Sequence, residues 1–178
     1  MPAPFRDVDE LLAALAAGAA VNDEPDLDVL SHSLQCGHLL RTERPDDREL
    51  AIAGLVHDVW DAVSPGQHDD HDTLGAALVE PLLGPRVARL VAGHVTAKRY
   101  LVTTEPGYQP GLSGRSTATL TRQGGALDDA QVARLTASPD FDALVTLRRA
   151  DERAKVPGAL VPGLDAWRDL LSRVPGRR

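Results

Sequence analysis

Cysteine is nearly missing from this sequence: Cys36 is the single one in 178 residues, so no disulfide can form within the chain. Aromatic residues are scarce, at 3%, although apolar residues reach 43%. A core built under that limit consists mostly of Leu, Val and Ala, and Ala and Leu are strong helix formers. No apolar run approaches the length needed to span a bilayer. The first residues lack the basic-then-apolar pattern of a secretory leader, with Arg6, Asp7, Asp9 and Glu10 coming early. The expected location is therefore cytoplasmic, with no membrane partner. A basic face is also missing. The net charge of −7 excludes a general nucleic-acid binder, which would carry a positive footprint. Internal repeats and low-complexity tracts are absent as well.

What remains is a chain long enough for one ordinary domain with a real core. Its periodicity is helical throughout, and no segment alternates convincingly with period two. Helices are expected over Val8 to Leu15, ending at Gly18, and over Leu27 to Leu40, with a break at Asn22 to Pro25. Pro45-Asp46-Asp47 reads as a helix start that runs to His57-Asp58. Further helices are expected at Asp72 to Leu83, Pro85 to Lys98, Leu112 to Arg122, Asp128 to Thr136, Phe141 to Ala154 and Leu164 to Arg173, with a loop over Thr103 to Gly111. The fold class is all-α, a single helical domain over residues 1–178.

Six histidines stand out: His32, His38, His57, His68, His71 and His94. A lone histidine in an apolar helix is usually a satisfied core or surface residue, so the signal here is collective. His57-Asp58 closes an apolar helix. The pair could cap the helix end, or it could address metal, since each oxygen of a carboxylate can bind a different cation. His71 opens one helix and His94 lies near the end of the next, so antiparallel packing would bring their rings together. Mixed His/Asp ligation without Cys suits iron, manganese or catalytic zinc rather than a structural zinc. Lys98 shares a helix face with His94 and could hold an anion, or be an ordinary surface lysine. Asp151 lies among basic neighbours and could form salt bridges or bind metal. Spacing alone leaves these alternatives open.

The flanking residues carry more. In order come Leu30-Ser-His-Ser-Leu-Gln-Cys36, His57-Asp58, His71-Asp-Thr-Leu-Gly-Ala76, Gly93-His-Val-Thr-Ala-Lys-Arg-Tyr-Leu-Val102, Leu112-Ser-Gly-Arg-Ser116, Gln123-Gly-Gly125, and Asp151 ahead of Lys155-Val-Pro-Gly158. This pattern, over roughly residues 27 to 170, resembles the HD-domain mixed-valent diiron oxygenases of phosphonate breakdown, distant relatives of myo-inositol oxygenase. The resemblance implies an HD-domain helical bundle around two iron ions, Fe(II) and Fe(III), with dioxygen as co-substrate. It implies His32, His57, Asp58 and Asp151 on one iron, and Asp58 as a bridge with His71 and His94 on the other. Asp58 and Lys98 would be catalytic. Lys98, Ser116, Thr119 and Gln123 would contact the substrate, a 1-hydroxyalkylphosphonate cleaved at its C–P bond to a carboxylate and phosphate. His38 would lie on a helix surface and His68 in a loop near the site.

Two departures from the family pattern stand out. The family reads His-Asp-x-Gly-His, its second histidine helping to hold the phosphonate; here His57-Asp-Val-Trp-Asp61 puts Asp61 in that substrate-binding place and adds the bulk of Trp60. A bare carboxylate there would repel a phosphonate. The family's Tyr-x-x-Glu lid is matched only by Asn22-Asp-Glu-Pro25, which has no tyrosine. Competing readings are an oxygenase for a non-phosphonate substrate, a metal-dependent HD phosphohydrolase, and a degenerate homologue that binds without turnover. The partner implied is a small molecule, and the chain is expected to be a monomer or weak homo-oligomer.

Overall fold

The computed structural model describes residues 2–66 and 70–174. His68 lies outside these described residues. The chain order is α1 (Val8–Ala17), β1 (Asn22–Glu24), β2 (Leu27–Asp28), α2 (Val29–Glu43), α3 (Arg48–Val56), α4 (Val59–Val63), α5 (His71–Thr104), α6 (Gly114–Leu120), α7 (Asp129–Thr136), α8 (Phe141–Arg153) and α9 (Arg168–Ser172), with short 3-10 turns between some of them. The all-α class is borne out.

Local chemistry explains most helix starts. Asp7, Asp28, Asp47, Ser113 and Asp128 each accept a hydrogen bond from a backbone N–H of the following first turn. Such caps stabilise a helix end by about 1 kcal/mol each. Asp128 and Gln131 complete a reciprocal capping box.

The centre of the molecule is α3. Every residue from Leu50 to Val56 is buried, as an apolar helix without a polar face requires. It packs chiefly on α2, α5 and α8. In α5, Gly84 sits at φ 83° and ψ 170°, so two helical stretches meet at a kink. Only glycine adopts that conformation readily, and Pro85 then starts the second stretch. The second stretch continues to Thr104, beyond the expected end at Lys98. Gly93 brings α8 close: a Cβ there would lie 2.5 Å from Leu144 Cδ2. Gly93, next to His94, thus lies where α5 and α8 pack closely.

One expectation is corrected. Asn22 to Pro25 is not a plain break but the first arm of a small antiparallel hairpin, pairing Asn22 with Asp28 and Glu24 with Leu27. The turn includes Asp26 at φ 59°, a left-handed conformation that Asp tolerates better than most residues.

Candidate metal centre

α3 ends at His57, and Asp58 leaves helical geometry at φ −105°, ψ 21° before α4 begins. This interruption turns both side chains into the interior, where His57 is 0% and Asp58 8% exposed. α2 supplies His32, α5 supplies His71 and His94, and α8 supplies Asp151, all buried. The structure therefore brings all six sequence-predicted ligands together from four directions.

Asp58 faces two ways. Its Oδ2 lies 3.7 Å from His32 Nε2 and 3.4 Å from His57 Nε2. Its Oδ1 lies 3.5 Å from His71 Nε2 and 3.7 Å from His94 Nε2. Asp151 Oδ1 joins the first group, 3.4 Å from His32 Nε2 and 3.9 Å from His57 Nε2. Two compact donor sets result, with Asp58 common to both.

The histidine tautomers decide what belongs between them. A backbone carbonyl only accepts, so a ring nitrogen bonded to one must carry the proton. His57 Nδ1 lies 2.8 Å from Gly54 O, His94 Nδ1 2.7 Å from Val91 O, and His32 Nδ1 3.2 Å from Ala154 O. In the neutral form of each of these rings Nε2 keeps its lone pair and turns it inward, the usual way a ligating imidazole is oriented. Yet His32 Nε2 and His57 Nε2 are 3.1 Å apart, and His71 Nε2 and His94 Nε2 3.0 Å apart. At that distance either one ring of each pair carries a proton on Nε2 and donates it to the other, or a cation lies between two lone pairs. Two nitrogens bound at right angles to one ion, each about 2.1 Å away, would be about 3.0 Å apart. The donor set fits a metal ion in each group. His57 also caps the end of α3 through Gly54, so the capping and metal readings of that residue are compatible.

The electrostatics agree. Burial pushes the Asp58 carboxyl up, but His57, His71, His94 and His32 around it more than offset this and hold it well below the carboxylate range. Burial and the neighbouring His71 and His57 push His94 down to about 3, so its lone pair is available at neutral pH. Asp151 stays ionised: burial opposes its charge, while Arg148, which bonds its Oδ2, favours it. The salt bridge foreseen for Asp151 therefore exists, and the other oxygen still faces His32.

Beside the donors lies a small cavity of about 30 Å³, walled by Asp58, His71 and His94 on one side and Lys98, Ser116, Thr119 and Gln123 on another. Lys98 is buried, 4% exposed, and its Nζ bonds only neutral oxygens, Thr119 Oγ1 at 3.0 Å and Ser116 O at 3.5 Å. Among the described residues, none of its ion pairs to a carboxylate lies within 4 Å. Burial, with the charge of Arg148, pushes its amine down to about 8. The buried Gln123 Oε1 and Asp23 Oδ2 have no hydrogen-bond partner. Buried polar atoms are rarely orphaned, so two around one cavity mark a place for a ligand.

Sequence reasoning missed four charged residues of this wall: Asp23, Arg115, Arg148 and Lys155. It also expected Asp61 to face the substrate. Asp61 is 1% exposed and is not on the cavity wall; its carboxylate is bonded to Arg115, which is. His38 is half-buried on α2, away from both donor sets. Arg99 holds Gly124 and Gly125 by their carbonyls, and Tyr100 stacks edge-on against Phe141, both structural roles.

A helical fold with a His-Asp pair at its heart defines a metal-binding HD domain. The HD-domain family model matches residues 29–152, and the chain belongs to that family. It is 34% identical to the hydroxymethylphosphonate dioxygenase of Gimesia maris, across 78% of this chain and 73% of that one. It is 30% identical to the glycine-betaine-forming 1-hydroxy-2-(trimethylamino)ethylphosphonate dioxygenase of Leisingera caerulea, across 76% of this chain and 72% of that one. The chain thus stands among the HD-domain dioxygenases, enzymes that use a metal and dioxygen on a small molecule. Among the described residues no helix is long and apolar enough to cross a membrane.

Proposed function

We propose that this chain, as a single HD domain, is a two-iron oxygenase that cleaves the C–P bond of a small 1-hydroxyalkylphosphonate. His32, His57, Asp58 and Asp151 hold one iron; His71, His94 and the second oxygen of Asp58 hold the other. The pair is mixed-valent, Fe(II)/Fe(III). When bound, it supplies the electrons and open coordination positions through which dioxygen reacts. In the overall change one dioxygen is consumed, one C–H bond and the C–P bond break, and carbon and phosphorus leave as a carboxylate and phosphate.

The chain's own residues position the substrate. Lys98 Nζ meets the phosphonate oxygens, a charge-assisted bond that replaces its contact with Thr119. Ser116 and Thr119 hydroxyls and the Gln123 amide fix which C–H faces the metals. A substrate held on the cavity wall shared by Lys98 and the donors would react in an effectively intramolecular way. The observation that carries this reading is the buried, carboxylate-free Lys98 ammonium beside two donor sets that share Asp58. The substrate class is supported by the names of the two relatives, both phosphonate dioxygenases.

The test is oxygen uptake by the iron-loaded protein across a panel of 1-hydroxyalkylphosphonates. Uptake with phosphate release on hydroxymethylphosphonate is expected. Uptake with a hydroxylated substrate that lacks phosphorus would displace the phosphonate reading. Oxygen-independent turnover of phosphomonoesters or nucleotides would replace it with a phosphohydrolase.

A further inference from the structure

α6 follows Ser113 and is only seven residues long. A helix that short does not hold itself in place. Among the described residues, the main apolar core includes none from α6. Polar bonds therefore decide where it sits, and with it Ser116 and Thr119 of the cavity wall. Ser113 caps the helix by accepting from the Ser116 N–H at 3.2 Å. In a capping box a Glu or Gln at the Ser116 position would accept from the Ser113 N–H in return. Here that reciprocal bond comes from another helix: the Ser113 N–H donates to Glu152 Oε1 of α8 at 2.5 Å. The hairpin adds a second hold. Glu24 accepts from the Arg115 N–H at 3.1 Å, and Asp23 and Asp61 take the Arg115 guanidinium.

The other oxygen of Glu152 reaches the wall itself. Oε2 lies 3.3 Å from Ser116 Oγ and also takes Nη2 of Arg148. Ser116 Oγ receives Arg148 Nη2 at 3.1 Å and Lys155 Nζ at 3.2 Å. A guanidinium and an ammonium only donate, so of these three partners only Glu152 can take the hydroxyl proton. The lone pairs of Ser116 then face two cations that both line the cavity. Those cations have other acids and oxygens as well. Arg148 bonds Tyr108 Oη at 3.0 Å and Asp151; Lys155 bonds Ser113 Oγ at 2.9 Å and lies 3.6 Å from Glu24 and 3.9 Å from Asp151. Glu152 follows Asp151 in the chain, so one carboxylate ties the first turn of α6 to the helix that carries a metal donor.

We infer that Glu152 is a positioning residue for substrate binding: it fixes the start of α6 and the direction of the Ser116 proton, and so keeps Arg148 and Lys155 in place beside the metal donors. Glu152 is not on the cavity wall and acts through Ser116. The substrate class rests on the oxygenase reading, but the positioning concerns any tetrahedral anion held at this wall.

Charge and position predict opposite signs. Glu152→Gln removes a negative charge near an anion site, which by Coulomb's law alone would tighten anion binding. Loss of positioning weakens it. The experiment is calorimetric titration of the metal-loaded protein with methylphosphonate, which has no hydroxyl to oxidise. Melting curves and metal analysis run alongside. Glu152→Gln should weaken binding by about 3- to 10-fold and leave the metal content at the wild-type value. In a Ser116→Ala background the same change should alter binding by less than about twofold, since the group it acts through is gone. With hydroxymethylphosphonate as substrate, Glu152→Gln should raise KM more than it lowers kcat. Glu152→Asp keeps the charge and shortens the reach, and should weaken methylphosphonate by a similar factor. Unchanged or tighter binding by folded Glu152→Gln, an equal effect with and without Ser116, or a wild type that binds no methylphosphonate would overturn the inference. If Glu152→Gln does not fold, Glu152→Asp decides, and wild-type binding by it would overturn the inference. Weakening that depends on Ser116, together with oxygen-independent turnover of phosphomonoesters, would sink the oxygenase reading and leave this inference standing.

Discussion

Lys98→Met should make the metal-free protein more stable and its catalysis worse. The wild-type amine falls from 10.5 to about 8 on folding, chiefly through burial and then the charge of Arg148. That difference corresponds to about 3 kcal/mol against the folded state. The sign follows from proton binding. Between about pH 8 and 10.5 the unfolded chain holds the proton and the folded one does not, so wild-type stability rises with pH across that window. Below pH 8 the full cost is present. Methionine matches the lysine stem in volume and removes the charge, while the bond to Thr119 is lost, worth about 1 kcal/mol. The net gain at pH 7 is about 2 kcal/mol, or roughly 4–8 °C in Tm for a chain of this size. Substrate binding should move the other way. A lost charge-assisted bond costs about 1.5–3 kcal/mol, which raises KM by about 10- to 150-fold. Differential scanning calorimetry at pH 7 and pH 10 and steady-state kinetics read both. A Tm that falls at pH 7, or a KM within about twofold of wild type, would refute the placement of Lys98 as a buried cation waiting for an anion.

Other consequences can be measured directly. Asp58→Ala removes the carboxylate common to both donor sets, so bound metal by elemental analysis should fall from two ions per chain to one or none; retention of two would mean that Asp58 does not bridge. Arg148→Met strips the partner from the buried carboxylate of Asp151 and from Glu152, and should cost about 3–5 kcal/mol in denaturant unfolding. Metal uptake should release protons and tighten with rising pH. Burial works against the His32 proton, but Asp151 and Asp23 raise its pKa overall, so the metal-free protein keeps that proton until the pH passes its raised value. The stability that this charge contributes to the metal-free protein is present at low pH and lost as pH rises through the same window. Calorimetry in buffers of differing ionisation enthalpy would show it, and pH-independent affinity would contradict it. Gly93→Val places a Cβ 2.5 Å from Leu144 Cδ2 and should cost about 1–3 kcal/mol, lowering Tm without altering the identity of any donor.

Local patterns in the sequence pointed toward several of these features, while the set of six donors came from the resemblance. His57-Asp58 stands at the end of an apolar helix, His94 and Lys98 are one turn apart, and Asp128 lies three residues before Gln131. Leu83-Gly84-Pro85 likewise marked the break within α5. What escaped was held together by long-range pairs. Asp61 and Arg115 are 54 residues apart in sequence, and nothing near either one announces the other. The hairpin escaped because strands of three and two residues are too short to show alternation. It spans the stretch matched to the family's lid and reaches α6 through Asp23 and Glu24. Read one residue at a time, Asp61 looked hostile to a phosphonate; in the structure its charge is paired with Arg115.

The central claim is that two metals on a shared aspartate drive an oxygen-dependent cleavage of a small hydroxyphosphonate. Its most direct test is phosphate release from hydroxymethylphosphonate by the iron-loaded protein, followed with and without dioxygen. One phosphate for each dioxygen consumed, and none under anaerobic conditions, is the result this account predicts. Phosphate released at the same rate without dioxygen would contradict it.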